Sequence, residues 1–181
     1  MFWIFPVCFG FRYSNFEIFV FIIGHQTIRA RLFDLISQNK FPQTSIFYGL
    51  EGIGKQRVAF EMAAAMLCEK SEPCWTCASC QRLQADTHPD FFLIEPSAPK
   101  SASSSAKASQ KARSSWTIKI EQVRDLSVRL MHHPLMGQHQ IVMINEAEKM
   151  TSTTANSLLK ILEEPRPSQV FILVTSRLSG I

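Results

Sequence analysis

The length of the chain, 181 residues, allows one good hydrophobic core, so the sequence predicts a single domain, complete or nearly so. The formal net charge is +4, but residues 97–115 carry four basic and no acidic side chains, so the rest of the chain is neutral. The total charge therefore gives no support for a basic nucleic-acid-binding face. Four of the five cysteines fall between residues 68 and 80, which is typical of metal ligation in a reducing compartment and excludes a disulfide framework.

Residues 1–20 form a hydrophobic extension rich in Phe and Ile. No Lys or Arg precedes its apolar stretch, and polar residues or proline interrupt it at Pro6, Arg12, Asn15 and Glu17. A run of about 20 apolar residues, the length that spans a bilayer, is never reached. We interpret the segment as an upstream extension of doubtful authenticity, such as a misassigned start, with a membrane anchor as the less favoured alternative.

From residue 21 onward, predicted helices alternate with predicted strands. The first helix is indicated by four apolar residues at helical spacing: Ile28, Leu32, Leu35 and Ile36. Phe41-Pro42 is expected to end it. Residues 45–48 form a short apolar strand, and residues 56–68 form a helix that is apolar on both faces. Such a helix is expected to lie buried against a parallel sheet.

Between that strand and that helix lies a glycine-rich loop of the pattern that binds phosphate. Its four matching residues are Gly49, Gly52, Gly54 and Lys55. Glycines let backbone N–H groups turn toward a phosphate, and the lysine supplies a positive charge. The next position normally carries a Ser or Thr whose hydroxyl ligates Mg²⁺, but here it is Gln56, whose amide is a poor substitute.

The four clustered cysteines follow, with the spacing C-x5-C-x2-C-x2-C: Cys68, Cys74, Cys77 and Cys80. Two overlapping C-x2-C units place three sulfurs within reach of one centre, and Cys68 can complete a tetrahedron. This pattern predicts a structural Zn²⁺ knuckle over residues 68–80. Two alternatives stay open: free surface thiols, and a site in which His88 replaces Cys68.

The rest of the chain continues the alternation. Strands are predicted at residues 91–94, 141–144 and 170–175, with helices before the second and third of them. The Ser/Ala/Lys-rich residues 97–115 carry too little apolar bulk to order themselves and are predicted to be a disordered surface loop. The fold class is therefore α/β, a three-layer parallel sheet of the P-loop type with a small zinc-binding insertion.

Two further positions of a nucleotide site lie at predicted strand ends. The strand at 141–144 runs into Asn145 and Glu146, where an ATPase normally places Asp-Glu to hold the metal and polarise water. Without a metal, Glu146 is expected to be a structural or interface carboxylate. Thr175 lies at the end of the last strand, where it either senses the γ-phosphate or caps the strand. Two metal-holding positions, 56 and 145, are thus altered, and no catalytic residue is predicted.

Several stretches resemble one family. Residues 156–165 (Asn-Ser-Leu-Leu-Lys-Ile-Leu-Glu-Glu-Pro) are similar to the NALLKxLEEP signature of the bacterial clamp-loader ATPases of DNA polymerase III. So are the stretches 24–26, 87–90 and 120–124, and the four-cysteine insertion between the phosphate loop and the second strand. The resemblance covers about residues 21–177.

This resemblance implies that residues 21–181 are an AAA+ nucleotide-binding domain. Its expected partners are the gamma/tau and delta subunits of a five-membered ring that places the sliding clamp on primed DNA in the cytoplasm. Within the family, the altered residues point to the delta-prime type, which does not hydrolyse ATP although it belongs to the DNA polymerase (nucleotidyltransferase) holoenzyme. ATP binding is expected to be weak or absent. The alternatives are an active gamma/tau-type ATPase and a non-functional truncated remnant.

The chain also departs from the family pattern near its last residues. The family follows the fourth strand with a Ser-Arg-Cys segment, a lid and a collar domain, and none of these is present in the 181 residues. The domain is therefore expected to be incomplete at its C-terminus. The strand that enters the phosphate loop is then expected to lie at an open edge of the sheet.

Overall fold

The computed structural model describes residues 24–98 and 116–178, which form a parallel α/β fold. The described strands are β1 Thr44–Tyr48, β2 Phe91–Ile94, β3 Gln140–Ile144 and β4 Gln169–Thr175. The described α-helices are α1 Gln26–Ser37, α2 Lys55–Leu67, α3 Ala78–Gln84, α4 Ile120–Arg129 and α5 Ser152–Glu163. The predicted strands and helices all appear, with bounds that differ by a few residues.

The sheet has the order β1-β4-β3-β2, and every neighbouring pair is parallel. The chain therefore crosses from β1 at one edge to β2 at the other, and β3 and β4 then fill the centre. The central strands are buried along their whole length, as expected of parallel strands covered on both faces.

Two hydrophobic cores, one on each face, confirm the predicted three layers. The side chains of β3 alternate between them, because successive residues of a strand point to opposite faces. Ile141 and Met143 pack with α2, whereas Val142 and Ile144 pack with α4 and α5. Eight of the thirteen residues of α2 are buried. This confirms the prediction that a helix apolar on both faces lies buried against the sheet.

Helix α1 differs from the prediction at its end. It stops at Ser37, before Phe41-Pro42, because Asn39 adopts a left-handed conformation (φ 54°) that no α-helix continues. None of its residues is fully buried, and Ile28 is 57% exposed. Helix α1 therefore packs at the side of α2 and contributes little to either core.

Strand β1 lies at an edge, as the sequence predicted. Among the described strands it pairs only with β4, and its side chains Ile46 and Tyr48 are 49% and 59% exposed. The phosphate loop that follows β1 therefore starts from the least covered strand of the sheet.

Two predictions fall wholly or largely outside the described part of the chain. The hydrophobic extension 1–20 is one, and residues 99–115 of the predicted disordered loop 97–115 are the other. The described residue Ser97 forms an isolated antiparallel bridge with Thr117, which joins the two ends of that segment. Within residues 24–98 and 116–178, no helix has both the length and the apolar character needed to cross a bilayer.

Candidate nucleotide and metal sites

The parallel sheet brings the predicted nucleotide-site residues to one edge. Because the carboxyl ends of parallel strands all lie on the same side, the segments after β1, β2, β3 and β4 meet there. They begin with Gly49, Glu95, Asn145 and Ser176, respectively. The sequence predicted site residues at the ends of β1, β3 and β4. It did not predict Glu95, at the end of β2, as a site residue.

The glycine loop has the backbone that a phosphate-binding loop needs. Gly52 (φ 78°) and Gly54 (φ 94°) adopt left-handed conformations that favour glycine, and Gly54 caps the N-terminus of α2. The ammonium of Lys55, however, turns back into its own loop. Its Nζ donates to the carbonyl oxygens of Gly49 at 2.7 Å and Leu50 at 2.6 Å. The positive charge of Lys55 is therefore bound by carbonyl oxygens of the loop itself.

The two altered metal positions share one partner. Gln56 Nε2 donates to Oε1 of Glu95 at 3.3 Å, and Asn145 Nδ2 donates to the same oxygen at 3.2 Å. Mg²⁺ prefers oxygen ligands, yet at both positions an N–H group faces a carboxylate of the protein. The residues present therefore do not fit a Mg²⁺ ion held between positions 56 and 145.

Glu146 and Thr175 are both engaged within the protein. Glu146 has a left-handed backbone (φ 51°) and forms an ion pair with Lys149. The hydroxyl of Thr175 is buried, 2.8 Å from Oε2 of Glu148 and 2.7 Å from the Arg177 carbonyl oxygen. These contacts favour the strand-capping alternative for Thr175 over phosphate sensing.

Glu148 fastens the end of β4 to the short 3₁₀ turn that follows β3. Its carboxylate accepts hydrogen bonds from the hydroxyl of Ser176 at 2.5 Å and from that of Thr175. Burial raises the pKa of this carboxyl, but the hydrogen bonds from Ser176 and Thr175 outweigh burial, and the pKa lies below its ordinary value. No sequence pattern indicated this function of Glu148.

The four cysteine sulfurs come together as predicted. They all lie within 4.8 Å of one another, with separations of 3.5 Å (Cys68–Cys74), 4.0 Å (Cys68–Cys77) and 3.9 Å (Cys74–Cys80). A zinc ion with Zn–S bonds of about 2.3 Å requires sulfurs about 3.8 Å apart at the corners of a tetrahedron. The donor set and its spacing therefore fit a closed, tetrahedral metal site.

Local structure around the sulfurs supports such a site. Backbone N–H groups of Lys70, Cys77 and Cys80 point at the sulfurs of Cys68, Cys74 and Cys77, each at 3.4 Å. Hydrogen bonding from Thr76 lowers the pKa of Cys74 to about 5, whereas burial raises the pKa of Cys80 to about 12. Four crowded thiolates repel one another, and a bound cation removes that penalty.

An aromatic contact attaches the insertion to the core. The ring of Trp75 stacks on Phe60 of α2, with centroids 6.4 Å apart and an interplanar angle of 11°. Phe60 in turn meets the edge of Phe91 on β2 at 5.7 Å. The cysteine loop is therefore seated on the buried face of α2.

The contacts of His88 favour Cys68 over His88 as the fourth metal ligand, because the four sulfurs form one cluster and the His88 ring has other partners. The Ser79 hydroxyl donates to the Leu67 carbonyl at 2.7 Å, so it accepts from Nε2–H of His88 at 2.9 Å. Nδ1 of His88 accepts from the N–H of Asp90 at 3.1 Å. Both ring nitrogens are thus occupied in a neutral imidazole, and burial lowers the pKa of His88.

Asp90 continues this hydrogen-bonded chain to the loop between α4 and β3. Its carboxylate is 1% exposed and accepts from the N–H groups of Leu135 and Met136, both at 2.7 Å. The network therefore links the end of α2 through the cysteine insertion to the loop after α4. The family resemblance at residues 87–90 did not indicate this hydrogen-bonded network.

A parallel sheet with a glycine loop between β1 and α2 defines an α/β protein of the phosphate-loop class. Within that class, a family model described as DNA polymerase III, delta subunit, matches residues 24–181. The chain belongs to that family, and curated relatives similar to it are delta-prime subunits.

The delta-prime subunit of Pseudomonas aeruginosa is 34% identical over 139 residues, covering 75% of this chain and 38% of that protein. That of Bacillus subtilis is 28% identical, covering 81% and 40%, and the tau subunit of Escherichia coli is 24% identical, covering 88% and 23%. The chain spans about two fifths of the length of the first two relatives.

A solved structure agrees at the level of the fold. The gamma subunit-related protein of Thermotoga maritima superimposes with a TM-score of 0.54 at 20% identity, covering 84% of this chain and 40% of that one. At that identity the likeness extends to the fold and no further.

Proposed function

We propose that the chain acts as a delta-prime-type subunit of a bacterial DNA polymerase III clamp loader, and that it helps to place the sliding clamp on primed DNA without hydrolysing ATP itself. Its partners are the gamma/tau and delta subunits, with the clamp and DNA reached through the complex, and its compartment is the cytoplasm. Membership of the delta-subunit family and the delta-prime relatives support this assignment.

The observation that carries the absence of hydrolysis is the pairing of Gln56 and Asn145 with Glu95. Phosphoryl transfer depends on a metal ion held by a hydroxyl and a carboxylate. Here both positions are amides whose N–H groups are turned to a carboxylate. The carboxylate and hydroxyl that would hold Mg²⁺ are missing. Without that ion, the negative charge of a triphosphate loses much of its compensation.

The four cysteines hold a structural Zn²⁺ in this proposal. The supporting observation is that three sulfur separations are 3.5 to 4.0 Å and all four sulfurs lie within 4.8 Å of one another, close to the spacing of a tetrahedral site. The ion cross-links the end of α2 to α3 and so orders an insertion that has few apolar side chains of its own. No open coordination position is left for chemistry.

Three measurements on the full chain test these statements. Metal analysis is expected to find one zinc per chain, and steady-state assays with Mg²⁺ are expected to detect no ATP hydrolysis by the isolated protein. Co-purification with gamma/tau and delta subunits is expected to yield a complex. Magnesium-dependent hydrolysis that disappears in Lys55→Ala would overturn the assignment in favour of an active gamma/tau-type ATPase.

A further inference from the structure

Glu95 is held at the mouth of the phosphate loop from three directions. Its carboxylate oxygen Oε1 receives Gln56 from α2 and Asn145 from the end of β3. Its backbone carbonyl receives Nε2 of Gln122 from α4 at 2.9 Å. The other end of the Gln122 amide, Oε1, accepts from the Lys119 N–H at 2.9 Å. A solvent-exposed glutamate held by this many contacts has a position fixed by the fold.

We propose that Glu95 is the residue that makes the phosphate loop reject nucleoside di- and triphosphates. The carboxylate places a negative charge beside the loop and takes the amide donors that an incoming phosphate would use. This inference rests on the proposed function. It adds that the amides of Gln56 and Asn145, besides being poor metal ligands, hold the Glu95 carboxylate in the site.

The conformation of Lys55 supports the same conclusion. Its ammonium donates to the carbonyls of Gly49 and Leu50, so the positive charge intended for a phosphate is used inside the loop. A phosphate must therefore displace Lys55 from two carbonyls and approach a fixed carboxylate. Gly52 and Gly54 keep the backbone conformation of a phosphate-binding loop. The side chains of Lys55 and Glu95, by contrast, oppose phosphate binding.

Two explanations of nucleotide rejection make different predictions. If the site fails only because metal ligands are missing, removing Glu95 changes nothing for a nucleotide without metal. If Glu95 excludes the phosphates, its removal creates binding that needs no Mg²⁺. The decisive variant is Glu95→Ala in the full, zinc-loaded chain, with Glu95→Gln as an isosteric partner that removes the charge and retains the size.

The probe is ADP carrying a fluorescent ribose label, titrated with EDTA and separately with Mg²⁺. In Glu95→Ala the dissociation constant is expected to be at least about tenfold lower than in the wild type, with and without Mg²⁺. Glu95→Gln is expected to show part of that gain. Glu163→Ala, an exposed glutamate of α5 with the same charge change, is expected to behave as the wild type.

A second variant tests how the carboxylate is held. Gln56→Leu removes one of the two amides and offers no metal ligand, so it is expected to loosen Glu95 and to improve metal-free ADP binding by a few fold. Thermal unfolding of each variant shows whether it is folded, and Glu95→Gln serves if Glu95→Ala is not.

Unchanged dissociation constants in folded Glu95 variants, or tight ADP binding by the wild type, would overturn this inference. Neither result touches the proposed function, which is tested by ATP hydrolysis in the wild type and by assembly with the gamma/tau and delta subunits. The two proposals are therefore tested separately.

Discussion

The cysteine insertion and the phosphate loop lie at two ends of α2, and they differ in what their polar groups contact. At the C-terminal end, the network through Ser79, His88 and Asp90 is buried and each group has a partner. At the N-terminal end, the loop is exposed beside an edge strand, and Lys55 and Glu95 contact the protein where a ligand would otherwise lie.

This difference indicates what each region contributes. Groups that are buried and bonded stabilise the fold itself, because leaving any of them without a partner costs its full desolvation. Groups at an exposed ligand site are needed only for the ligand, so substitutions there leave the fold largely unchanged. The cysteine end is therefore expected to respond to mutation through stability, and the phosphate-loop end through binding.

The largest effect is expected at the cysteines. Cys77→Ser removes one of the four zinc ligands, whereas its hydroxyl can still cap α3, so we expect loss of zinc and a fall in the free energy of unfolding of about 3 kcal/mol or more. Zinc content and urea unfolding measure it. Glu72→Ala, an exposed change in the same insertion, is the control. A variant that unfolds like the wild type would show that the cluster is a set of free thiols.

The next effect is expected at Asp90. In Asp90→Ala, the N–H groups of Leu135 and Met136 lose a buried carboxylate, and we expect the free energy of unfolding to fall by about 3 kcal/mol with zinc still bound. Asp125→Ala, an exposed aspartate on α4, controls for the charge. Equal stability of the two variants would contradict a structural function for the Asp90 carboxylate.

The fold and the ligand types were readable from the sequence because their signals are local. Period-two and period-3.6 apolar patterns gave the strands and helices, and the glycines and cysteines occur in short motifs. Glu95 could not be found this way, because its partners lie 39 and 50 residues away. The network of His88 and Asp90 and the function of Glu148 depend on similar long-range contacts. The end of α1 was missed because Asn39 stops the helix before the proline does.

The third effect in size is expected to be a dependence of stability on pH that comes from His88. Burial lowers the pKa of His88 below the ordinary 6.5. The charges of Asp90, which raises the pKa, and Arg82, which lowers it, have smaller effects that act against each other. Because the unfolded chain binds the proton more readily, the contribution of the neutral form is complete above 6.5 and is lost as the pH falls from there toward the folded-state value. We expect the free energy of unfolding to fall measurably between about pH 7.5 and pH 5.5.

A second, partly buried histidine must be separated from the first. Burial also lowers the pKa of His139, so wild-type stability alone does not identify the carrier. In His139→Gln the pH dependence assigned to His88 is expected to persist. Its complete disappearance would assign the effect to His139, and the hydrogen-bonded tautomer of His88 would then have no consequence for stability.

The smallest effect is expected at Lys55, although it is the residue most characteristic of the motif. Lys55→Met keeps most of the apolar stem and removes only the donor to Gly49 and Leu50, whose carbonyls water can reach at this exposed loop. The free energy of unfolding is expected to fall by less than about 1 kcal/mol, measured beside Asp90→Ala under the same conditions. A loss as large as that of Asp90→Ala would mean that Lys55 holds the loop together, and that this end of α2 also stabilises the fold.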